Sequence, residues 1–486
     1  DINMEYEAVI GLEVHVQLNT KTKAFCSCPN TFGAPANTLT CPRCQAHPGT
    51  LPIVNKEMVH KTIKAGIATN CAIQKVSRFA RKHYFYPDLP SYYQITQMDE
   101  PICKEGHIDI TVLNEDGSSY NKSVRINRIH MEEDAGKLVH DDTGRPLSYV
   151  DLNRAGCCLI ECVSEPDIST GEEAYQYLTE LKKILKYINV SDCNMEEGSL
   201  RCDANVSIRP KGSKELGVKT EVKNMNSFRN VRLAIDYEIK RQIKALNNGE
   251  KILQETRLYD AKENNTKGMR SKEGAADYRY FPDPDIPVLI LKEEEIESAR
   301  KELPELPQKK RDRLKKDYDL PDQDIIVLTE EPELADYYEA AVKSYPKQPK
   351  KISNWIMVEV NAYLNKKLQT IKDFKPKPEH IAEIFKLIDE ETISGKIAKE
   401  IFEDMCETGE SPSAIIDKKG LKQMSDTGEL ESIIRKVLED NPKSVADFKA
   451  GKEKSFGFLV GQTMKATKGQ GNPKLVNEVL RKILSE

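Results

Sequence analysis

The chain lacks any long hydrophobic run. Only 38% of its 486 residues are hydrophobic, and no stretch approaches the ~18 consecutive apolar residues that a membrane-spanning helix needs. The amino terminus has none of the charged-then-apolar pattern of a secretion signal. We therefore predict a cytoplasmic protein with no membrane segment. At ~150 residues per domain, a chain of this length is expected to form about three domains.

The common nucleotide-binding and hydrolase fingerprints are also missing. The nearest approach to a phosphate-binding loop is the segment 212–220, where Val218 stands at the position that requires lysine. No GxGxxG motif follows a strand pattern, and no GxSxG nucleophile elbow occurs. If the protein uses ATP, it is expected to bind it outside the common nucleotide-binding folds.

Strong charge of one sign is absent too, but the charge is unevenly distributed. The chain has 73 Lys and Arg against 78 Asp and Glu, a net charge of −5, which argues against indiscriminate binding to nucleic acid. From residue 414 onward, 14 basic and 10 acidic residues give a surplus of +4, so the remaining 413 residues carry −9. A basic tail on an acidic body fits either contact with RNA through the C-terminus or an ordinary solvated surface.

Turn signals and periodicities predict an α+β chain. Up to about residue 291, β-branched runs are separated by Gly, Pro, Asn and Asp, with helices at 172–188 and 227–247, the second capped by Ser227. Beyond that point the periodicity is helical, and the last helix is expected over 474–486. We predict a β-rich catalytic domain, a helical domain and a small helical tail, with the boundaries 1–292, 293–410 and 411–486.

Four of the twelve cysteines form two close pairs across a short loop: Cys26, Cys28, Cys41 and Cys44. In a cytoplasmic chain cysteines should be reduced, so metal binding is favoured over disulfides. Two such pairs can close a tetrahedron around Zn²⁺, and four protein ligands leave no open position, so the zinc would stabilise the fold. The alternative is four unrelated buried thiols. His47 is near enough to substitute as a ligand, although a surface position is favoured.

Carboxylates occur where strand patterns would bury them. Strict alternation over residues 10–18 places Glu13 and His15 side by side on one sheet face. Glu161 has apolar neighbours on both sides, and strand parity places Glu133 on the apolar side of its strand. A buried carboxylate is costly unless it is paired, protonated or bound to metal. Such a set suits an oxygen-rich Mg²⁺ site with positions open for phosphate, whereas Glu13 and His15 alone also fit a solvent-facing strand.

Many strings in these regions resemble one known family, the B subunits of the aspartyl/glutamyl-tRNA amidotransferases. They occur in the family's order over nearly the whole chain. Besides the two cysteine pairs, they are GLEVHV at 11–16, KHYFYPD at 82–88, HMEEDAGK at 130–137, VDLNR at 150–154, SEPD at 164–167, MEEGSLRCD at 195–203, KN at 223–224, DYRYFP at 277–282, GFLVGQ at 457–462 and MKATKG at 464–469.

The resemblance implies a cradle-shaped catalytic domain, a helical domain and a tail similar to the YqeY proteins. It implies ATP-dependent phosphorylation of the side-chain carboxylate of Glu-tRNA(Gln) or Asp-tRNA(Asn). Ammonia, supplied through an internal channel by a glutaminase (the A subunit), would then displace the phosphate, and a small C subunit would clamp the pair. Residue by residue, Glu13, His15, Glu133 and Glu161 match the family's Mg²⁺ ligands.

The matched aromatic string supplies candidate substrate contacts. Lys82, His83, Tyr84 and Tyr86 would touch the acceptor end of tRNA or the nucleotide. The alternative is an aromatic turn packed against the sheet.

Five further matched residues are candidates for contacts with phosphate. Lys223 and Asn224 precede a helix start, where either phosphate binding or helix capping is expected. Arg279 would neutralise phosphate or pair with a neighbouring aspartate. Lys465 and Lys468 in the tail would contact the tRNA backbone or remain solvated.

One departure from the family pattern affects the cysteine loop. Gln45 and Ala46 stand where Leu-Gly is expected. If that glycine has a positive φ, Ala46 is strained or the turn differs.

Two rival interpretations remain at the level of sequence. A zinc-stabilised RNA-binding protein without chemistry would explain the cysteines and the basic tail, but not the inward Glu133 and Glu161. A metal-dependent hydrolase would use Glu13 and His15 directly.

Overall fold

A computed structural model describes residues 5–269, 277–421, 424 and 426–486. The chain divides into two compact units, Asp1–Pro307 and Gln308–Glu486. The first is rich in strands and the second is helical, which confirms the predicted α+β class. The division at 292 and 410 stays a prediction. Among the described residues, no helix is long and apolar enough to cross a membrane.

The described residues of the first unit form both strands and helices. In chain order the strands are β1 (Tyr6–Gln17), β2 (Ala72–Ile73), β3 (Val76–Ser77), β4 (Ala80–His83), β5 (Tyr93–Thr96), β6 (Cys103–Leu113), β7 (Ser119–Glu133), β8 (Lys137–His140), β9 (Ser148–Asp151), β10 (Cys158–Ser164), β11 (Leu200–Pro210), β12 (Thr220–Lys223), β13 (Thr256–Asp260), β14 (Asn265–Gly268), β15 (Phe281–Pro282) and β16 (Leu289–Ile290). The helices are α1 (Lys56–Ala68), α2 (Gly171–Tyr187), α3 (Phe228–Asn247) and α4 (Glu293–Glu302).

A nine-stranded sheet in the order β14-β13-β12-β11-β1-β10-β7-β6-β2 forms the body of this unit. Its central strand β1 pairs antiparallel with β10 and β11, and β10 pairs antiparallel with β7. Leu12, Val14 and Val16 of β1 are fully buried in the core that also contains α2 and α3. The predicted alternation of β1 is thereby confirmed, and its polar residues face the other side of the sheet.

The capping signals place the two predicted helices well. Helix α3 begins after Ser227, whose hydroxyl accepts a hydrogen bond from the Asn230 N–H, as the sequence predicted. Helix α2 begins after Thr170, whose hydroxyl accepts a hydrogen bond from the Glu173 N–H. Helix α1 was not predicted. Asn55 caps it through the Met58 N–H, and its buried side chains pack in the first core.

From Pro307 onward the chain is helical. The helices are α5 (Pro307–Tyr318), α6 (Asp322–Leu328), α7 (Pro332–Ser344), α8 (Pro349–Trp355), α9 (Asn361–Lys367), α10 (Pro378–Asp389), α11 (Gly395–Thr408), α12 (Pro412–Lys419), α13 (Thr427–Asp440), α14 (Pro442–Lys449), α15 (Lys454–Ala466) and α16 (Pro473–Ser485), with a π-helical turn at Ile356–Val360 and a 3₁₀ turn at Ile371–Asp373. One core gathers around Trp355, and another lies between α13, α15 and α16. The predicted last helix is confirmed as α16.

Candidate functional site

The pairing register brings polar residues of three strands together on one sheet face. His15 on β1 lies opposite Glu161 on β10, and Glu161 lies opposite His130 on β7. Because residues that face each other across antiparallel strands share a sheet face, the side chains of His130 and Glu132 join those of His15 and Glu161. Sequence reasoning had no means to establish this convergence.

Short contacts tie this group together. The Nε2 atom of His15 lies 3.1 Å from Glu132 Oε1 and 3.5 Å from Glu161 Oε2. The Nε2 atom of His130 lies 2.9 Å from Glu161 Oε2 and 3.4 Å from Glu132 Oε2. Oε1 of Glu132 is buried and, despite its distance to His15, has no aligned hydrogen bond among the described residues. The contact of this oxygen with His15 is therefore an ion pair rather than an aligned hydrogen bond.

The pKa shifts of Glu132 and His15 indicate that this group favours a positive charge. Burial opposes ionisation of Glu132, yet its contacts with His130 and His15 hold the pKa of this carboxyl well below its usual range. Burial also opposes charging of His15, but Glu132 and Glu161 outweigh it and raise the pKa of this imidazole to about 9. In this arrangement the imidazolium supplies the cation that the two carboxylates require.

Glu133 does not join this group. It is the next residue after Glu132, so its side chain projects to the opposite face of β7. There Oε1 accepts a hydrogen bond of 3.1 Å from the Ile95 N–H, and Oε2 lies 3.6 Å from the Arg43 guanidinium in the cysteine loop. The expectation that Glu133 is buried is met. Its convergence with His15 and Glu161 is not, because its strand parity differs from theirs.

Glu13 lies in a second acidic group on the same face. One ligand atom from each of Glu13, Asp203 and Glu221 lies within 4.8 Å of the others. Burial, together with Glu161 and the other two carboxylates, raises the pKa of Glu13. Lys223 neutralises part of this charge, with Nζ 3.0 Å from Asp203 and 3.3 Å from Glu221. Lys223 is thus held in ion pairs, a placement that its position before a helix did not indicate.

Sequence reasoning missed Glu132 and His130 as members of the site. A signal was present, because His130 and Glu132 alternate at period two as Glu13 and His15 do. The inward position of Glu133 on its strand favoured that residue instead. Asp203 and Glu221 were missed because only the folded sheet brings them to Glu13: β11 pairs with β1, and β12 pairs with β11.

Aromatic residues border the first group. Burial and the carboxylates of Asp88 and Glu132 raise the pKa of Tyr84. Burial, Tyr278 and Glu161 raise the pKa of Tyr280 to about 12. Both phenols therefore lie within the field of the carboxylates.

Lys82 lies against the same wall of aromatic rings. Its Nζ is 4.5 Å from the centroid of the Tyr278 ring and 5.7 Å from that of Tyr84, distances typical of cation–π contacts. A cation and a row of rings thus edge the carboxylate group.

The remaining candidates, His83, Tyr86 and Arg279, differ in how far contacts with neighbouring residues fix them. The His83 ring stacks on Phe281 with centroids 4.7 Å apart, and its Nδ1 lies 3.1 Å from the Arg279 carbonyl oxygen. Tyr86 is 44% exposed and so remains open to a ligand. Arg279 has a φ of 48° and its backbone N–H, at 3.0 Å, donates to Asp277. This backbone hydrogen bond does not involve the Arg279 guanidinium, so the expected charge pairing with Asp277 stays a prediction.

Asn224 does not cap helix α3, and its contact with phosphate stays a prediction. Its Nδ2 donates to the Tyr259 carbonyl at 3.0 Å, and its φ is 67°. Ser227, three residues later, caps the helix.

The four cysteines converge as their spacing predicted. The Sγ atoms of Cys28 and Cys44 are 4.0 Å apart, those of Cys41 and Cys44 are 3.8 Å apart, and all four lie within 4.8 Å of one another. A tetrahedron with Zn–S bonds of ~2.3 Å has sulfur atoms about 3.8 Å apart, so the group fits zinc. His47 is exposed.

Metal analysis tests this fit. Freshly purified protein is expected to contain one zinc ion per chain, because the four thiolates complete the tetrahedral coordination of a single ion. Cys44→Ser should lose most of the zinc, whereas Cys71→Ser, which changes a thiol outside the group, should retain it. Absence of zinc from the unmodified protein in elemental analysis would refute the assignment.

Ala46 occupies the turn after the second cysteine pair with a φ of 57°. The left-handed region costs a residue with a Cβ atom ~1–2 kcal/mol, so the strain anticipated from the family pattern is present. Ala46→Gly is expected to increase the free energy of unfolding of the first unit by roughly 0.5–1 kcal/mol. Ala36→Gly, in the same loop at a position without positive φ, should decrease it. Urea denaturation measures both, and a loss of stability in Ala46→Gly would contradict the strain.

Two family models match the chain. Residues 8–297 match the model described as the GatB/GatE catalytic domain. Residues 336–484 match the one described as the GatB domain. Together the matches cover most of the chain, and the first contains both the carboxylate and the cysteine groups.

Individual relatives narrow the family further. The chain is 93% identical over 483 residues to the B subunit of an aspartyl/glutamyl-tRNA(Asn/Gln) amidotransferase from Brachyspira hyodysenteriae, covering 99% of this chain and 100% of that protein. It is 53% identical to the protein of the same name from Thermoanaerobacter pseudethanolicus and 52% identical to that from Persephonella marina, each over 99% of this chain and all of the relative. The chain therefore belongs to the family of aspartyl/glutamyl-tRNA(Asn/Gln) amidotransferase B subunits.

Proposed function

We propose that this chain is a carbon–nitrogen ligase subunit that converts misacylated Glu-tRNA(Gln), Asp-tRNA(Asn) or both to the amide form. In this proposal it phosphorylates the side-chain carboxylate of the esterified amino acid with ATP and then hosts its amidation by ammonia. The observation that carries the proposal is the group formed by His15, Glu132 and Glu161 on the open face of the sheet. The names of the relatives supply the substrate class.

The carboxylate group fits Mg²⁺. Two carboxylates and one imidazole offer few protein ligands, and Mg²⁺ usually retains positions for water and phosphate. Glu132, Glu161 and His15 would hold the ion, with Glu13 beside them. When bound, the ion would supply charge neutralisation for phosphoryl transfer. Although burial opposes it, Glu132 and Glu161 raise the pKa of His15, so the ion would have to displace the proton of this imidazole, because a histidine ligand is neutral.

The aromatic border suits the acceptor end of tRNA. The amino acid is attached to the unpaired 3′ end, so the carboxylate group must be approached by single-stranded nucleotides. Bases of single strands stack on aromatic side chains, and Phe85 and Tyr92 are exposed by 74% and 59% with their rings stacked 5.3 Å apart. Lys82 would balance phosphate charge. Rings at the border would also exclude water, which competes with ammonia for an acyl phosphate.

Ammonia is expected to come from a partner. The relatives carry the names of B subunits, and we propose that a glutaminase, the A subunit, is the source of ammonia and that a small C subunit is the third member of the complex. ATP, Mg²⁺ and a structural zinc are the proposed cofactors. The protein is proposed to act in the cytoplasm, where aminoacyl-tRNA is used.

Reconstitution tests this division of labour. With the A and C subunits, glutamine and ATP, the chain should convert Glu-tRNA(Gln) to Gln-tRNA(Gln), and ammonium should replace glutamine when the glutaminase is omitted. The chain alone should form no amide from glutamine. Amide formation from glutamine by the isolated chain would overturn the assignment of roles. Full activity of a complex whose carboxylate group has been neutralised would favour a zinc-stabilised tRNA-binding subunit without chemistry of its own.

The tail is proposed to contact the tRNA backbone. Lys465, in the last turn of α15, and Lys468, just after its end, are both exposed. Replacing both lysines with glutamine should weaken tRNA binding several-fold and reduce the salt dependence of log Kd by about 2, since each phosphate contact contributes ~0.9. Glutamine at the exposed Lys443 and Lys449 is the matched control. Equal affinity and salt slope in both double variants would indicate a merely solvated surface.

A further inference from the structure

Lys23 is a fully buried lysine without an acidic partner. Its side chain is 0% exposed. Its Nζ donates to the Leu39 carbonyl at 2.8 Å and to the Leu152 carbonyl at 3.4 Å, and it lies 3.6 Å from the Sγ atom of Cys44. Within the described ranges of the chain, no carboxylate lies at ion-pair distance from this ammonium.

Such an arrangement is expensive unless a negative charge lies close by. Transfer of an unpaired ammonium into the protein interior costs several kcal/mol even after relaxation, and two carbonyl oxygens satisfy its hydrogens without cancelling its charge. The only other neighbour named above is a cysteine of the metal-binding group. Zinc bound by four thiolates carries a net charge of −2, which is the missing counter-charge.

We propose that Lys23 is the charge-compensating residue of the cysteine metal site. Its ammonium stabilises the metal-loaded tetrathiolate, and the loaded cluster in turn stabilises the buried ammonium. The proposal rests on the four-cysteine geometry and is independent of the amidotransferase reaction, so its failure would leave the proposed function untouched.

The position of Lys23 also gives it a purely structural task. Leu39 lies in the loop between the two cysteine pairs, and its N–H donates to the Asn153 side chain at 2.8 Å. Lys23 therefore ties this loop to the segment around Leu152 through hydrogen bonds. Any test must distinguish the charge of Lys23 from these bonds.

Two neutral replacements make that distinction. Lys23→Met removes charge and hydrogen bonds and leaves an apolar side chain one heavy atom shorter, whereas Lys23→Gln removes the charge and keeps a donor. Zinc release from the purified full chain into excess chelator is expected to be at least about tenfold faster in both variants. Lys21→Met, at an exposed position of the same segment, should release zinc at the unmodified rate. Unmodified release from Lys23→Gln would assign the role to hydrogen bonding and overturn the proposal.

A charge cycle sharpens the test. Cys26→His should preserve a four-ligand zinc site, since three cysteines and one histidine are a common zinc set, but it reduces the net charge of the cluster from −2 to −1. Cys26 makes none of the Lys23 contacts described above, so the lysine's surroundings stay the same. In this background, Lys23→Gln should accelerate zinc release by a smaller factor than in the unmodified chain. An equal factor in both backgrounds would contradict charge compensation, and this comparison holds even if Lys23→Met fails to fold.

Discussion

Glu161→Gln is expected to reduce amide formation at least ~100-fold, which corresponds to ~3 kcal/mol of lost transition-state stabilisation. Glutamine preserves the shape of the side chain but removes the charge that lies 2.9 Å from His130 Nε2 and 3.5 Å from His15 Nε2. The fold should survive, because the replacement keeps the polar contacts of a half-buried position. Single-turnover conversion of Glu-tRNA(Gln) by the reconstituted complex measures the effect.

The response to ammonium identifies the step that is lost. If Glu161 acts in phosphoryl transfer, saturating ammonium should not rescue Glu161→Gln, because the carboxylate is never activated. A variant impaired only in ammonia delivery would be rescued. Glu115→Gln, in the exposed turn between β6 and β7, is the charge-matched control and should be unaffected. Near-normal activity of Glu161→Gln at saturating Mg²⁺ would show that this carboxylate is structural.

Glu132→Gln is expected to reduce amide formation as strongly as Glu161→Gln does. Glu133→Gln is expected to weaken metal binding much less than Glu132→Gln. Oε1 of Glu132 lies 3.1 Å from His15 Nε2, whereas Glu133 points to the opposite face and contacts Ile95 and Arg43. The family resemblance alone matches Glu133 to a Mg²⁺ ligand. The family resemblance and the geometry therefore predict different metal ligands, and the two variants distinguish between them.

Mn²⁺ binding followed by electron paramagnetic resonance decides between them without relying on turnover. Glu132→Gln should weaken binding at least ~10-fold, a loss of ~1.4 kcal/mol, while Glu133→Gln should bind the ion like the unmodified chain. The reverse order would make Glu133 the ligand. Strand β7 would then have to rearrange around the ion.

The features that the sequence predicted correctly are local ones. The alternation of β1, the Ser227 cap, the last helix and the convergence of the two cysteine pairs depend on spacings within a few residues or across one short loop. Each has a simple geometric signature, namely period two, a hydroxyl before an apolar helix, or paired thiols. Each signature specifies its local structure without reference to a distant strand or helix, so the prediction does not depend on the tertiary fold.

The features that escaped prediction depend on the partner of a strand or helix. Strand parity separates Glu132 from Glu133, but only the register of β7 against β10 decides which of them faces His15. Helix α1 contains Val59, Thr62, Ile63 and Gly66, residues with weak helix propensity, and it is held by its burial in the core. No sequence pattern indicated a role for Lys23, because its burial and its contact with Cys44 arise only from the folding of the cysteine loop.

The most direct test of the central claim is phosphate release from ATP by the reconstituted complex without any ammonia donor. We expect Mg²⁺-dependent release only when misacylated tRNA is present, because its side-chain carboxylate is the phosphoryl acceptor and water slowly hydrolyses the product. This release should fall at least ~100-fold in Glu132→Gln and Glu161→Gln, while glutamine hydrolysis by the partner glutaminase, assayed separately, stays detectable. Phosphate release that is independent of the acylated amino acid, or unchanged in both variants, would contradict a phosphoryl-transfer site on this face of the sheet.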